Sequence, residues 1–248
     1  MKRFIQSMFF SLAALAISAI SLAAGDLKIT FNTEAKMLVT VKATEVHHYT
    51  EKFFLARNEK DKMDILTDYT TFTQYTINHK KKTIEKITVD DMIELMDRMA
   101  GQGGLGGGGD DNPSISVEKA GTETVADRNC EKWRVSLGKT NFIISVDPAL
   151  LPPVPQVSLE KASQLASSAF IMVNKHLPKL YDEMAKIKGM ALKTESQIAL
   201  GPITVKGVSV ATAIEEGPLP ASLFELPSGY KETDQGKKLL DELSKKKK

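Results

Sequence analysis

Apolar and polar positions alternate along most of the chain. Leu27, Ile29 and Phe31 alternate with Lys28 and Thr30, and Met37, Val39, Val41 and Ala43 alternate with Lys36, Thr40 and Lys42. A period of two predicts β-strands with one apolar and one wet face. The same pattern predicts strands over 49–57, 63–67, 72–78, 83–88, 114–119, 123–126, 130–137, 141–147, 190–199 and 203–216, with a short one over 222–226. Polar clusters such as Asn58-Glu59-Lys60-Asp61 and Asn78-His79-Lys80-Lys81-Lys82 mark the turns. In 130–137, Glu131, Trp133, Val135 and Leu137 fall on one side and Cys130, Lys132, Arg134 and Ser136 on the other. Phe142, Ile144 and Val146 form the next apolar face. In 203–216 the apolar parity changes between Val205 and Val208, which predicts a β-bulge at Gly207.

The period changes to that of a helix in three places. Met92, Leu95, Met96 and Met99 form a stripe over 91–100, where Asp91 and Glu94 resemble a capping box. A second stripe runs from Leu159 through Leu165 and Val173 to Ile187, with Ser158 as its cap, Pro178 as a break and Gly189 as its stop. A third follows Asp234 through Leu239, Leu240 and Leu243. Between the first helix and the next strand lies Gly101 to Gly109, seven of nine residues being glycine, closed by Asp110-Asp111-Asn112-Pro113. It lacks the Gly-Lys-Ser/Thr that a phosphate-binding loop needs, so it reads as a linker or lid.

Charge refines the picture. Residues 1–25 hold Lys2 and Arg3, then an uncharged apolar run ending in Ser21-Leu22-Ala23-Ala24-Gly25, the pattern of a cleaved signal peptide. Gly25 stands where a lipoprotein would carry its acylated cysteine, so the expected product is periplasmic or secreted and not lipid-anchored. The net charge of +2 resides in this segment and in Lys245–Lys248. The body between them holds four more acids than bases, which argues against a nucleic-acid partner. The lysine tail supplies charge for peripheral contact with an anionic membrane. Cys130 is the only cysteine and reads as a buried small hydrophobe.

Candidate chemistry is sparse. Glu45 and His47 share a strand face and His48 points away, so no ligand set for a metal forms. The histidines read as exposed strand residues. His79 and His176 have no partner suggesting general-base work, and no hydrolase signature is present. No catalytic residue, metal or cofactor is assigned, and the chain is expected not to be an enzyme. The methionine stripe can pack on the sheet or line an adaptable apolar pocket.

Two segments, Gly121-Thr122-Glu123-Thr124-Val125-Ala126-Asp127-Arg128-Asn129-Cys130-Glu131-Lys132-Trp133 and Pro218-Leu219-Pro220-Ala221-Ser222-Leu223-Phe224-Glu225-Leu226-Pro227-Ser228-Gly229-Tyr230-Lys231, resemble motifs of the bacterial family of unknown function numbered 4412. Gly189-Met190-Ala191-Leu192-Lys193-Thr194-Glu195 is similar to its strand before the closing hairpin. Asp127 departs from the pattern, where glycine is commoner. The resemblance implies an exported α+β protein similar to the LolA and LolB lipoprotein carriers, with one curved antiparallel half-barrel sheet and helices packed across one face. The expected layout is a signal peptide at 1–25, one half-barrel domain at 26–231 with a glycine loop at 101–113 and a helical insertion at 156–188, and a helix with its lysine tail at 232–248. The expected function is non-catalytic binding of a hydrophobic small molecule or lipid in a sheet-helix cavity lined by Val39, Val41, Met92, Met96, Trp133, Val135, Phe142 and Ile144. The alternative is a structural or protein-interaction module with a solid core.

Overall fold

The computed structural model describes residues 25–36, 40–100, 114–154, 158, 183–184, 187–200 and 203–245. Twelve strands form one curved, open sheet: β1 (Leu27–Lys36), β2 (Thr40–Tyr49), β3 (Phe53–Asn58), β4 (Met63–Asp68), β5 (Thr73–Asn78), β6 (Thr83–Thr88), β7 (Ile115–Val125), β8 (Arg128–Leu137), β9 (Thr140–Asp147), β10 (Met190–Leu200), β11 (Ile203–Glu216) and β12 (Lys231–Asp234). Their order is β12-β6-β5-β4-β3-β2-β1-β11-β10-β9-β8-β7. Every pairing is antiparallel except β12 on β6, a short parallel edge that alternation alone does not reveal.

The run β3 to β6 is built on a ten-residue period. Asn58, Asp68 and Asn78 each end a strand and accept a backbone N–H three residues on, from Asp61, Thr71 and Lys81. Each turn closes with a residue in the left-handed region, Lys62 (φ 53°), Phe72 (φ 50°) or Lys82 (φ 51°). Thr88 occupies the fourth such position, and its Oγ1 accepts the Asp91 N–H at 3.0 Å. Here the turn runs on into helix α1 (Val89–Ala100). The first-turn cap is therefore Thr88, and Asp91 is the donor rather than the capping residue. Helix α2 (Gln235–Lys245) begins the same way, with Asp234 Oδ1 accepting the Lys237 N–H at 3.1 Å, as its sequence predicts.

Three expectations about the strands change. The predicted strand 49–57 is two strands, because Thr50 Oγ1 accepts the Phe53 N–H at 2.8 Å and turns the chain. The predicted strands 114–119 and 123–126 are one strand, β7, whose register shifts between Lys119 and Thr122. The bulge of β11 falls at Thr212, where Thr30 pairs with Ala213 and Phe31 with Ala211, and not at Gly207. Further shifts interrupt β10 between Ala191 and Lys193. Bulges bend a sheet, and the bend is measurable. Arg128 pairs with Asp147 at 3.6 Å and also with Glu216. On a flat sheet β8 and β11 would lie ~14 Å apart, at ~4.8 Å per strand.

One face of the sheet, here the front, carries Leu27, Ile29 and Phe31 of β1, His47 and Tyr49 of β2, and Phe54 and Ala56 of β3. They join Val125, Cys130, Leu150, Val154, Met190 and Leu192 in the main core. Farther along the same face, Val135, Leu137, Phe142, Ile144 and Val146 pack with Met184 and Ile187. The back face has its own core at β3–β6, where Leu55, Leu66, Ile77 and Ile84 receive Phe224. Phe224 lies on a 3-10 turn (Ala221–Phe224), where a short strand over 222–226 is predicted, and stacks on Phe53 with ring centroids 5.2 Å apart. The segment 218–230 is therefore a strap across the back.

Helix α1 does not lie across a face of the sheet as expected. Helix α1 packs on α2 and on β6, the strand next to the edge. Gly236 allows this approach, since a Cβ there would come within 2.6 Å of Asp91 Oδ2. Most of the predicted helix 159–188, and the glycine loop 101–113, lie outside the described residues; Ser158, Glu183 and Met184 are helical.

Two substitutions test these contacts. Gly189 has φ +109°, and a Cβ there would sit 2.2 Å from the Asp147 carbonyl oxygen. Gly189→Ala is expected to destabilise the fold by more than about 1 kcal/mol, read by urea denaturation. Phe224→Ala is expected to cost about 3 kcal/mol as the back core loses its cover.

Candidate functional site

Of the predicted cavity residues that are described, Trp133, Val135, Phe142 and Ile144 meet, while Val41 and Met92 lie apart from them. Val135, Phe142 and Ile144 are buried in the front core, and Trp133 is partly buried against it. They are solid packing under Met184 and Ile187 rather than an open lining. Met92 is half-buried in α1, at the other end of the sheet. Val41 is on the front face and 44% exposed. Val39 and the side chain of Met96 lie outside the described residues. The physical reason is that alternation identifies an apolar face without saying what covers it.

The histidines of β2 are buried, contrary to expectation. His47 is enclosed by Phe31, Tyr49 and Phe54, with Nδ1 3.2 Å from the Tyr49 hydroxyl and Nε2 3.4 Å from Glu45 Oε2. Burial pushes the Tyr49 hydroxyl pKa well up. His48 points to the back face, where burial, and then the neighbouring Arg57 guanidinium, lower its pKa to about 4. Among the described residues no group of three or more His, Cys, Asp or Glu side chains is placed to hold a metal ion. Burial also pushes the Cys130 thiol up to about 11, which makes it a poor nucleophile.

Two further polar clusters escaped the sequence reading. His79 bridges Asp64 and the strap: Nε2 lies 3.1 Å from Asp64 Oδ2 and Nδ1 3.0 Å from the Tyr230 hydroxyl, while Arg57 Nε donates to the same carboxylate at 3.1 Å. This latches the strap over a cavity of about 340 Å³ between the strap and β3–β5. On β7–β10, Glu123 accepts from Ser145 and from Lys193 at 3.2 Å, with Lys132 at 3.5 Å. Burial raises the Glu123 carboxyl, but these donors outweigh it and hold the group below its ordinary range. Both clusters join residues remote in sequence, and only strand register brings them together.

A larger open feature lies elsewhere. A groove of about 960 Å³ runs over the back face of β11, β1 and β2 at the end away from the main core. Its floor holds Val46, Val208 and Val210, and its rim holds Lys36, Lys42, Lys60 and Lys206 with Glu34 and Glu59. Val208 is 40% exposed. Lys42 pairs with Glu34 at 2.9 Å, and Lys60 Nζ donates to the Lys42 carbonyl at 3.0 Å, so the β3–β4 turn forms one wall. An exposed Val208 beside half-buried Val46 and Val210, within a cationic rim, can hold an amphiphile. None of the groove residues was among the predicted lining.

No family model and no curated protein matches the sequence. Distant similarity to solved structures is found. PNGF-II is 12% identical with a TM-score of 0.41 over 89% of this chain, which spans about a third (33%) of that protein. An uncharacterised conserved protein from Thermus thermophilus is 7% identical with a TM-score of 0.45, covering 93% of this chain and 98% of its own. A domain named for outer-membrane lipoprotein sorting, from Vibrio parahaemolyticus, is 8% identical with a TM-score of 0.37, covering 88% and 95%. Among the described residues no helix is long and apolar enough to cross a membrane.

The His48 environment predicts a pH dependence. Its folded pKa of about 4 lies below the unfolded value of ~6.5, so the neutral ring is the form the fold prefers. The stability it contributes is complete above pH ~6.5 and is lost as pH falls toward 4. His48→Gln is expected to flatten the fall in stability between pH 7 and pH 4.5, measured by urea denaturation at each pH.

Proposed function

We propose that the chain is an exported, non-catalytic binding protein of the bacterial envelope, with its signal segment removed after residue 25, that holds the apolar part of a small amphiphile on the back of its sheet. The observation carrying this reading is the exposed Val208, with half-buried Val46 and Val210 beside it, in the lining of the open groove. Soluble proteins rarely leave an apolar strip uncovered in a concave surface without a ligand or partner for it. This moves the expected binding site from the front face, where Val135, Phe142 and Ile144 are packed, to the back. The family numbered 4412, with its carrier-like half-barrel, belongs to the same reading. The three segments that resemble it coincide with the β7–β8 hairpin, with Gly189 and the start of β10, and with the strap.

A second reading is an interaction module that pairs a partner along the sheet edge. Two observations favour it: the solid front core, and the position of β7 as the terminal strand of the sheet. Titration with an uncharged alkyl maltoside below its critical micelle concentration separates the two. The binding reading expects saturable binding that Val208→Asp weakens at least tenfold, while the melting temperature stays within a few degrees because the side chain is exposed. An absence of saturable binding would favour the interaction module.

A further inference from the structure

Strand register places Lys36 of β1 directly opposite Lys206 of β11 at the rim of the groove. Like charges at directly paired positions repel and weaken a sheet. Sheets usually relieve this with carboxylates on the adjoining strands. Here the neighbours in the same row are Thr40 on β2 and Gln197 on β10, both neutral. The next row holds Glu34 and Glu195, but Lys42 takes the first at 2.9 Å and Lys193 the second at 2.7 Å. Among the described residues neither Lys36 nor Lys206 has an ion-pair partner. Glu59 is the remaining acid on the rim, and the four rim lysines exceed the two rim acids.

The rest of the groove indicates what would balance the pair. Val208 follows Lys206 on the same face of β11 and Val210 follows Val208, so two valines ~7 Å apart along the strand lead away from the lysine pair. A free inorganic anion would use the lysines and leave the valines wet. A neutral chain would use the valines and leave the repulsion in place. We propose that the groove binds a lipid with an anionic head: the phosphate seats between Lys36 and Lys206, and the acyl chain lies over Val208, Val210 and Val46. This rests on the groove being the binding site. It adds a head-group preference set by two residues 170 positions apart.

The test uses the full chain at low salt, with ligands below their critical micelle concentrations. Calorimetry compares lysophosphatidylglycerol, an alkyl maltoside of equal chain length, and glycerol phosphate. The expected result is that the anionic lipid binds at least tenfold more tightly than the maltoside, that glycerol phosphate binds much more weakly than either, and that salt erodes the difference. In the K36Q/K206Q variant the anionic lipid should fall to the affinity of the maltoside, with maltoside binding unchanged. The ligand-free variant should melt no lower than the wild type, since it loses a repulsion, and this checks its folding independently. Equal binding of the two amphiphiles by the wild type, or an anionic preference surviving in K36Q/K206Q, would overturn the head-group assignment and leave the groove reading intact. Binding of glycerol phosphate as tightly as the lipid would also overturn it, by showing an anion site without a chain site. If neither amphiphile binds, both the assignment and the groove reading fall.

Discussion

A sheet of twelve strands has two large faces, and the described residues include little besides strands with which to cover them. Each cover that exists is short and fixed at a few points. On the front, Leu150 and Val154 lie in the main core, and Met184 and Ile187 lie on β8–β10. On the back, the strap seals β3–β6 with one phenylalanine and a Tyr230–His79–Asp64 latch. Helices α1 and α2 pack on each other and on β6. Among the described residues nothing is packed over the outer end of β11, β1 and β2, and the groove is the back side of that end.

This division explains why the strand pattern was legible in the sequence while the site was not. Alternation reports which side chains share a face, and it located most of the strands. The ten-residue period of Asn58, Asp68, Asn78 and Thr88 is also written in residue types, although its last member starts a helix. At Met92 the chain follows Val89 to Asp91 into helix instead of adopting the left-handed conformation that Lys62, Phe72 and Lys82 take. The strap carries no period, because an irregular segment bearing one anchor such as Phe224 has none. The groove was hidden for a different reason. Lys36 and Lys206 become neighbours only through the pairing of β1 with β11, and register between distant strands depends on what each face buries. Placing the bulge at Gly207 instead of Thr212 leaves that pair opposite but gives Phe31 to Ala35 the wrong partners on β11.

The misreading of the histidines follows the same logic along a single strand. β2 passes from Thr40 to Tyr49, and its burial changes with position. Residues 40–42 are exposed, whereas His47, His48 and Tyr49 are all buried although they alternate in direction. Consecutive buried residues in a strand mean that both faces are covered there. Phe31 and Phe54 cover His47 from the front, and the back face at His48 adjoins Leu55 and Arg57.

The same gradient decides where a ligand can go. A strand sealed on both faces at its inner end has no room for one, which is why the aromatic box around His47 is packed and dry in character. Moving outward along β2, cover is lost first at Thr44 and Lys42 on the back, while Val41 emerges on the front. On the front the neighbours of Val41 on β1 and β2 are Ala35 and Ala43, small side chains that form no walls. On the back, long lysines and the β3–β4 turn rise around the valines and make a concavity. Side-chain length therefore turns one exposed sheet end into a flat surface on one side and a groove on the other, and only the grooved side combines apolar area with uncompensated charge.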